Sequence, residues 1–182
     1  MERKNTISKA YNKTAKFYDR RYQRIQLAKY DFLLRNIRLG PDDFILDVGC
    51  GTGLFMERIG HNVDRMIGID VSKRMLRVAV ERVSGGLFVL ADVDSLPFRR
   101  KMFSKVFSIT LLQNVPDPFS SLRELARLIR KNGFLAVTVL RKKMAVEELR
   151  KLLQRTKLEG IKVGEIPKSE DIWGIGVALS AS

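Results

Sequence analysis

A string of nine residues, Ile45-Leu46-Asp47-Val48-Gly49-Cys50-Gly51-Thr52-Gly53, constrains the fold of this chain more than any other stretch. Its first part continues an apolar run from Phe44 and reads as a short buried strand. Its second part puts glycine at every second position, which leaves a turn with almost no side-chain bulk. Glycine suits backbone that takes positive φ or lies close against a ligand. Leu54 to Ile59 then reads as a helix, whose free N–H groups and positive dipole end favour a polar or anionic group at the turn.

Patterning on either side extends that unit. Residues 6–18 put Ile7, Ala10, Tyr11, Thr14, Ala15 and Tyr18 on one helical face, with Asn5 or Thr6 as cap. A second helix reads from about Tyr22 to Leu39 with the stripe Leu27, Tyr30, Leu33, Leu34 and Ile37, and Gly40-Pro41 ends it. From residue 44 onward strands and helices alternate. Strands are predicted at 44–48, 65–70, 87–91, 103–111 and 134–140, and helices at about 54–59, 72–83, 116–130 and 145–157. Ser72 caps the second of these helices, and Lys131-Asn132-Gly133 closes the third, with the glycine as its stop. Two last strands, about 160–166 and 172–179, are joined by too few residues for a parallel crossover, so they pair antiparallel. This alternation implies a parallel sheet with helices on both faces. A ligand in such a sheet sits outside the carboxyl ends of the strands, where the order reverses.

Spacing narrows the ligand. A dinucleotide fingerprint needs a third glycine five residues after the first, and that position is Leu54. The pattern Asp-x-Gly-x-Gly-x-Gly from Asp47 to Gly53 instead resembles motif I of the class I S-adenosylmethionine-dependent methyltransferases, of the type 11 group. The resemblance covers residues 41–182 and, more loosely, the two N-terminal helices. It implies an α/β, Rossmann-like seven-stranded sheet in the order 3-2-1-4-5-7-6, with the last strand antiparallel. It also implies methyltransferase activity with S-adenosylmethionine as cofactor. Residues 41–182 would form the cofactor-binding domain and residues 1–40 a helical lid within the same domain.

The resemblance also assigns roles. Gly49, Cys50, Gly51 and Gly53 let the backbone approach the cofactor. Asp47 steadies the turn and the cationic end of the methionine moiety. Asp70, nineteen residues past Gly51, accepts from the ribose hydroxyls, with Val71 beside it; the alternative is a helix N-terminal carboxylate before Ser72. Leu90-Ala91-Asp92-Val93-Asp94-Ser95-Leu96-Pro97-Phe98 is similar to the family's Ala-Asp-x-x-x-Leu-Pro-Phe segment. Asp92 then accepts from the adenine amine and Val93 meets the ring, with Asp94 as the alternative to Asp92. In Leu111-Leu112-Gln113-Asn114-Val115-Pro116-Asp117-Pro118, Gln113 and Asn114 stand where the family often has two histidines. Gln113 lies beside the methionine moiety and Asn114 faces the acceptor as the candidate catalytic residue, or both are loop-capping amides. Tyr11-Asn12-Lys13-Thr14-Ala15-Lys16-Phe17-Tyr18-Asp19 matches the family's lid string Tyr-Asp-x-x-Ala-x-x-Tyr-Asp except at Asn12. That match puts Tyr11 and Tyr18 over the cofactor and Arg20 or Arg21 at its carboxylate; the alternative is a helix docked for packing alone.

Methyl transfer from a sulfonium begins with an activated leaving group, so proximity and orientation supply most of the catalysis. No general base stands out. His61, the only histidine, falls between the helix after the turn and strand two and reads as a surface residue. The single cysteine, Cys50, excludes an internal disulfide and reads as a small turn residue, not a nucleophile. The sequence has no Cys/His cluster for a metal. No apolar run approaches the roughly 20 residues that span a bilayer, and Met1 to Asn5 leads into no signal-peptide stretch. A cytoplasmic protein is expected.

The net charge of +14 is uneven. Residues 1–40 carry eleven Lys and Arg against three acids, and residues 141–168 nine against four, while residues 41–140 are nearly balanced at fourteen against eleven. A basic excess outside the cofactor-binding centre favours RNA or a ribonucleoprotein as partner; the alternative is a solvated charged surface. Strand five passes into its helix through only Arg141-Lys142-Lys143-Met144, which leaves no insertion to close a small pocket. Asn-Pro-Pro-Tyr, the mark of family members that methylate planar amines, is missing after strand four. A methyltransferase acting on RNA (tRNA or rRNA) or on a translation-linked protein is therefore expected, and motif I and the first helix are also similar to those of wobble-uridine tRNA methyltransferases. The alternatives are a small-metabolite enzyme with a quinone-like acceptor and a non-catalytic S-adenosylmethionine-binding module. Strand three, Leu87 to Ala91, is an edge in the family's order and carries no charge, which suits strand addition by another chain. The resemblance implies a small zinc-ribbon activator protein there; the alternative is a short strand covered by helices.

Overall fold

The computed structural model describes residues 24–61 and 63–179. Residues 24–36 are helical (α1). Phe44–Val48 is β1, Leu54–Ile59 α2, Arg65–Asp70 β2, Lys73–Arg82 α3 and Leu87–Leu90 β3. Phe103–Ile109 is β4, Pro118–Arg127 α4, Ile129–Leu140 β5, Val146–Gln154 α5, Glu159–Glu165 β6 and Asp171–Val177 β7. All seven strands join one sheet in the order β3-β2-β1-β4-β5-β7-β6. β3, β2, β1, β4 and β5 run parallel, and β7 is antiparallel to β5 and β6. The short connection between β6 and β7 had dictated that last pairing.

β1 lies inside the sheet between β2 and β4, and apart from Asp47 its side chains are apolar on both faces. On one face Ile45 packs with Phe107 of β4, with Tyr30 and Leu33 of α1 and Ile37 just after it, and with Leu54, Phe55 and Ile59 of α2. The Phe55 ring stands 5.1 Å from that of Tyr30 and 4.7 Å from that of Phe107. On the other face Leu46 and Val48 join Val106, Leu135 and Val137 against Leu122 and Leu125 of α4 and Leu149 and Leu153 of α5. Each such side chain contributes about 1.5–3 kcal/mol on burial, so α1 is as much a part of this core as the later helices. Two caps fix where helices begin. Ser72 Oγ accepts the Met75 N–H ahead of α3, and Asp117 Oδ1 accepts from Phe119 and Ser120 ahead of α4, with Pro118 at its first position.

Five expectations need correction. α1 stops at residue 36 rather than at Leu39. β4 ends at Ile109, not Leu111, because Thr110 takes φ of 59° and turns the chain out of the sheet. α4 ends at Arg127, and residues 129–131 belong to β5, where Ile129 pairs with Phe103 across a bulge. Gly133 is not a helix stop: it is glycine because a Cβ there would lie 2.5 Å from the Ser104 carbonyl oxygen, while Asn132 takes the left-handed backbone at φ 61°. α5 ends at Gln154, short of Lys157. Among the described residues no helix is long and apolar enough to cross a membrane.

Candidate functional site

The glycine turn leaves the end of β1 with three left-handed residues, Gly49, Gly51 and Gly53, at φ 77°, 55° and 79°. L side chains rarely adopt that backbone. The turn is clamped to β2: Gly49 N and Cys50 N both donate to the Ile69 carbonyl at 2.8 and 2.9 Å. A Cβ on Gly53 would press on Ala79 of α3 and on Val83 just after it, at 3.1 and 3.2 Å, so that glycine permits close packing. A Cβ on Gly51 would meet no atom within 4 Å, so Gly51 presents bare backbone to open space. The Cys50 side chain turns away from that space and packs with Met56, Leu76 and Val83. Burial, with the charges of Asp47 and Asp70, pushes its thiol well above the usual range. It stays neutral and is no nucleophile.

Two carboxylates stand behind the turn. Asp70, at the end of β2, accepts the Gly51 N–H on Oδ2 at 3.0 Å and the Ser72 N–H on Oδ1 at 2.8 Å. Burial raises its pKa against those hydrogen bonds. Asp47, within β1, is 2% exposed, and its Oδ2 is buried without a hydrogen-bond partner. Burial first, and the charge on Asp70 second, push the Asp47 pKa up to about 7.

A cleft opens beside them at the carboxyl ends of the strands. Its walls are Val48 of β1, Gly49 of the turn, Ile69 and Asp70 of β2 with Val71 just after it, Ala91, Asp92 and Val93 after β3, and Leu111 and Val115 after β4. Asp92 Oδ1 accepts the Asp94 N–H at 3.1 Å, which bends the loop after β3 around the cleft. Val93 is buried at the cleft's base, and Val71 is 40% exposed at its rim. A 3₁₀ turn, Leu112–Asn114, follows Thr110. In it Gln113 Nε2 donates to the Thr110 carbonyl at 2.7 Å, while Gln113 Oε1 is buried without a partner. Asn114 is half-buried beside it, its backbone N–H on the Leu111 carbonyl at 2.8 Å.

The structure thus brings Asp47, the glycine turn, Asp70, Val71, Asp92 and Val93 to one end of the sheet, with Gln113 and Asn114 on the loop that follows β4. Tyr11, Tyr18, Arg20 and Arg21 lie outside the described residues. His61 is exposed beyond α2, away from the cleft. Among the described residues no group of three or more His, Cys, Asp or Glu side chains is arranged to hold a metal ion.

Sequence reading missed one cluster next to the site. Lys29 of α1 is 2% exposed and its ammonium lies 2.8 Å from Asp171 Oδ2 and 2.9 Å from Thr110 Oγ1. The available signal was a lysine on the inward stripe of α1, one residue before Tyr30 and four before Leu33. A buried lysine is held by a partner, and the partner came from a strand far along the chain. Leu111 and Val115 were also missed as cleft walls, since apolar loop residues carry no polar signature.

The methyltransferase domain family matches residues 46–137. An uncharacterised protein of Methanocaldococcus jannaschii is 31% identical over 135 residues, which is 73% of this chain and 51% of that protein. A malonyl-[acyl-carrier protein] O-methyltransferase of a Marinomonas species is 31% identical over 144 residues, 75% of this chain and 52% of that one. The chain spans about half the length of these relatives. Among solved structures, a complex between the Haloferax volcanii Trm112 methyltransferase activator and a methyltransferase contains a chain that superposes with TM-score 0.80 at 17% identity, over 93% of this chain and 98% of that one.

Proposed function

The chain belongs to the methyltransferase domain family, and we propose from that membership that it transfers a methyl group from S-adenosylmethionine to an acceptor on RNA. The observation that carries the cofactor reading is a set of acceptors at and beside an apolar cleft. Asp47 Oδ2 and Gln113 Oε1 are buried acceptors without donors, each within two residues of a cleft wall, and Asp70 and Asp92 line the cleft itself. A ligand rich in donors fits: the ammonium at Asp47 and Gln113, the ribose hydroxyls at Asp70 and the adenine amine at Asp92. The apolar walls Val71, Val93, Leu111 and Val115 suit a flat ring. A dinucleotide pyrophosphate would bring negative charge toward Asp47 and Asp70, which is unfavourable in a dry site. When bound, S-adenosylmethionine supplies a methyl group already activated on a sulfonium. The protein then contributes proximity and orientation, with Asn114 as the residue that faces the acceptor.

The acceptor reading rests on charge. A surface groove of about 550 Å³ runs beside α4, from Asp94, two residues past Asp92, to Lys157 and Leu179 at the far end of the sheet. Arg100, Lys101, Arg123, Lys131 and Lys157 line it, and its acids are engaged: Glu124 pairs with Arg127 and Asp94 accepts from Ser121. An extended polyanion such as an RNA strand suits a basic groove that starts beside the cofactor cleft. The Marinomonas relative favours a second reading, an acceptor carried on a protein. Incubation with labelled S-adenosylmethionine and fractionated RNA, protein and lipid tests both: label in RNA is expected, label in protein favours the second reading, and label in lipid alone rejects both.

An activator partner belongs to the same proposal. β3 is an outer strand of the sheet, and Leu87 and Leu90 on it are 62% and 57% exposed, near Val80 of α3 at 59%. Such an edge attracts strand addition. The Haloferax complex, which contains an activator, favours a small activator protein as the chain that covers it. Phe88, by contrast, is half-buried against Gly68 and Gly86 and belongs to the fold rather than to the edge surface.

A further inference from the structure

Three parts of the chain that are distant in sequence meet at one ammonium. Lys29 Nζ, on α1, donates to Thr110 Oγ1 at 2.9 Å and pairs with Asp171 Oδ2 at 2.8 Å, both side chains of the pair being at most 3% exposed. Asp171 opens β7, and its Oδ2 also accepts from Ser169 Oγ at 3.0 Å. Thr110 follows β4, and its N–H donates to the Thr138 carbonyl and to Thr138 Oγ1, on β5, at 2.9 and 3.0 Å. A charge this deep needs its partner and its further hydrogen bonds, and here it has them.

Thr110 is the unusual member. It is a β-branched residue at φ 59°, a conformation such residues adopt only where the surroundings enforce it. The ammonium of Lys29 and the Thr138 contacts are those surroundings. The consequence reaches the cleft, because the carbonyl that Thr110 turns out of the sheet holds Gln113 Nε2 at 2.7 Å and leaves Oε1 as the free, buried end of the amide. A loop that carried Thr110 in extended backbone would aim that carbonyl elsewhere and release the Gln113 amide.

We propose that Lys29 is a positioning residue for the cofactor site: by holding Thr110 in the left-handed conformation, it fixes the Gln113 amide with its oxygen toward the ammonium of S-adenosylmethionine. The inference rests on the cofactor reading above and adds to it a reason for α1 to carry a buried cation. α1 thereby reports its docking on the sheet directly to a cofactor-binding side chain.

The test is a double-mutant cycle on S-adenosylmethionine affinity, measured by calorimetry. Lys29→Met alone strands Asp171 as a buried charge, so the pair is replaced together, Lys29→Met with Asp171→Leu, which leaves no charge unpaired. With Gln113 present this replacement is expected to weaken binding about tenfold, the effect of one hydrogen bond to a charged ligand group. In a Gln113→Ala background it is expected to change affinity little. Adding Thr110→Gly to the replaced pair is expected to recover part of the affinity, since glycine takes positive φ without being held there. Equal losses in both backgrounds, or no loss with Gln113 present, would overturn the proposal in favour of a purely structural ion pair. If thermal melts find the replaced pair unfolded, Thr110→Val, which removes only the hydroxyl that Lys29 holds, goes through the same cycle with the same two outcomes. Wild-type protein that binds no S-adenosylmethionine rejects the cofactor reading itself, and this inference with it.

Discussion

The carboxylate of Asp70 accepts the backbone N–H of Gly51 at 3.0 Å, across nineteen residues of chain. One side chain thus ties the glycine turn to the end of β2, and through the Ser72 N–H at 2.8 Å to the start of α3 as well. The two roles weighed for Asp70, ligand acceptor and helix N-terminal carboxylate, are compatible. Each carboxylate oxygen has two lone pairs, so both backbone contacts leave room for a hydroxyl. Five predictions are argued from this arrangement and from its neighbours.

Asp70→Asn keeps an acceptor beside the turn but loses the charge. S-adenosylmethionine binding is expected to weaken by about 1.5–3 kcal/mol, the scale of a hydrogen bond to a charged group. NADH is expected not to bind. Calorimetry measures both, and tight NADH binding without S-adenosylmethionine binding rejects the cofactor assignment.

Asp47 makes the unliganded protein pH-sensitive. Its carboxyl holds a proton up to about pH 7 in the folded state, whereas the unfolded chain releases it near 3.8. The folded state therefore binds more protons across that window. Stability from this group is fully present below about pH 4 and is lost as pH rises through 7, by up to about 4 kcal/mol. Asp70 is raised too and acts in the same direction. Asp47→Asn is expected to stabilise the unliganded protein at pH 8, flatten the dependence of its denaturation midpoint on pH between 5 and 8, and weaken S-adenosylmethionine binding. An unchanged pH profile in the variant would place the sensitivity elsewhere.

Gly68 pairs with Asp47 in the sheet, and a Cβ there would lie 2.7 Å from Met56 Sδ and 2.9 Å from both Cys50 Sγ and the Phe88 ring. Three side chains of one small cluster would have to shift. Gly68→Ala is expected to cost about 1–3 kcal/mol in urea denaturation, as overpacking does. A variant as stable as wild type would mean that the cluster under α2 and α3 repacks freely.

Arg100→Gln with Lys131→Gln removes two groove cations outside the cofactor cleft. If RNA lies in this groove, the slope of log affinity against log salt should become shallower by about 1.4, which is 0.7 for each lost phosphate contact with a single strand. S-adenosylmethionine affinity is expected to stay the same. A slope identical to wild type moves RNA to another surface.

Leu87→Lys with Leu90→Lys places one charge on each face of the edge strand β3, where both side chains are already more than half exposed. The isolated fold should tolerate it, with a stability change within about 0.5 kcal/mol. Solubility of the chain alone is expected to rise, and copurification with an activator protein to be lost. Full activity in a monodisperse monomer that no added partner alters would remove the activator from the account.

Much of this was legible in the sequence because it is local. Asp47 to Gly53 could be read as strand, turn and helix start, since left-handed glycines and an apolar run are properties of adjacent residues. Ser72 announced the helix it caps for the same reason. Alternation and connection length implied a parallel sheet with an antiparallel last pair, while the order of strands was implied by the family resemblance alone. Other features depend on residues that meet only in the folded chain. No local rule gives Gly133 its role, because the oxygen that excludes a side chain there belongs to Ser104. The left-handed Thr110, the early end of β4 and the placement of the Gln113 amide depend on Lys29, Thr138 and Asp171, which come from one helix and two strands far apart in sequence. The sequence alone determined the alternation of strands and helices and the position of the glycine turn, through backbone preference and periodicity. Tertiary structure alone decided which buried charge meets which partner, because the free energy of a buried charge depends on what surrounds it in space.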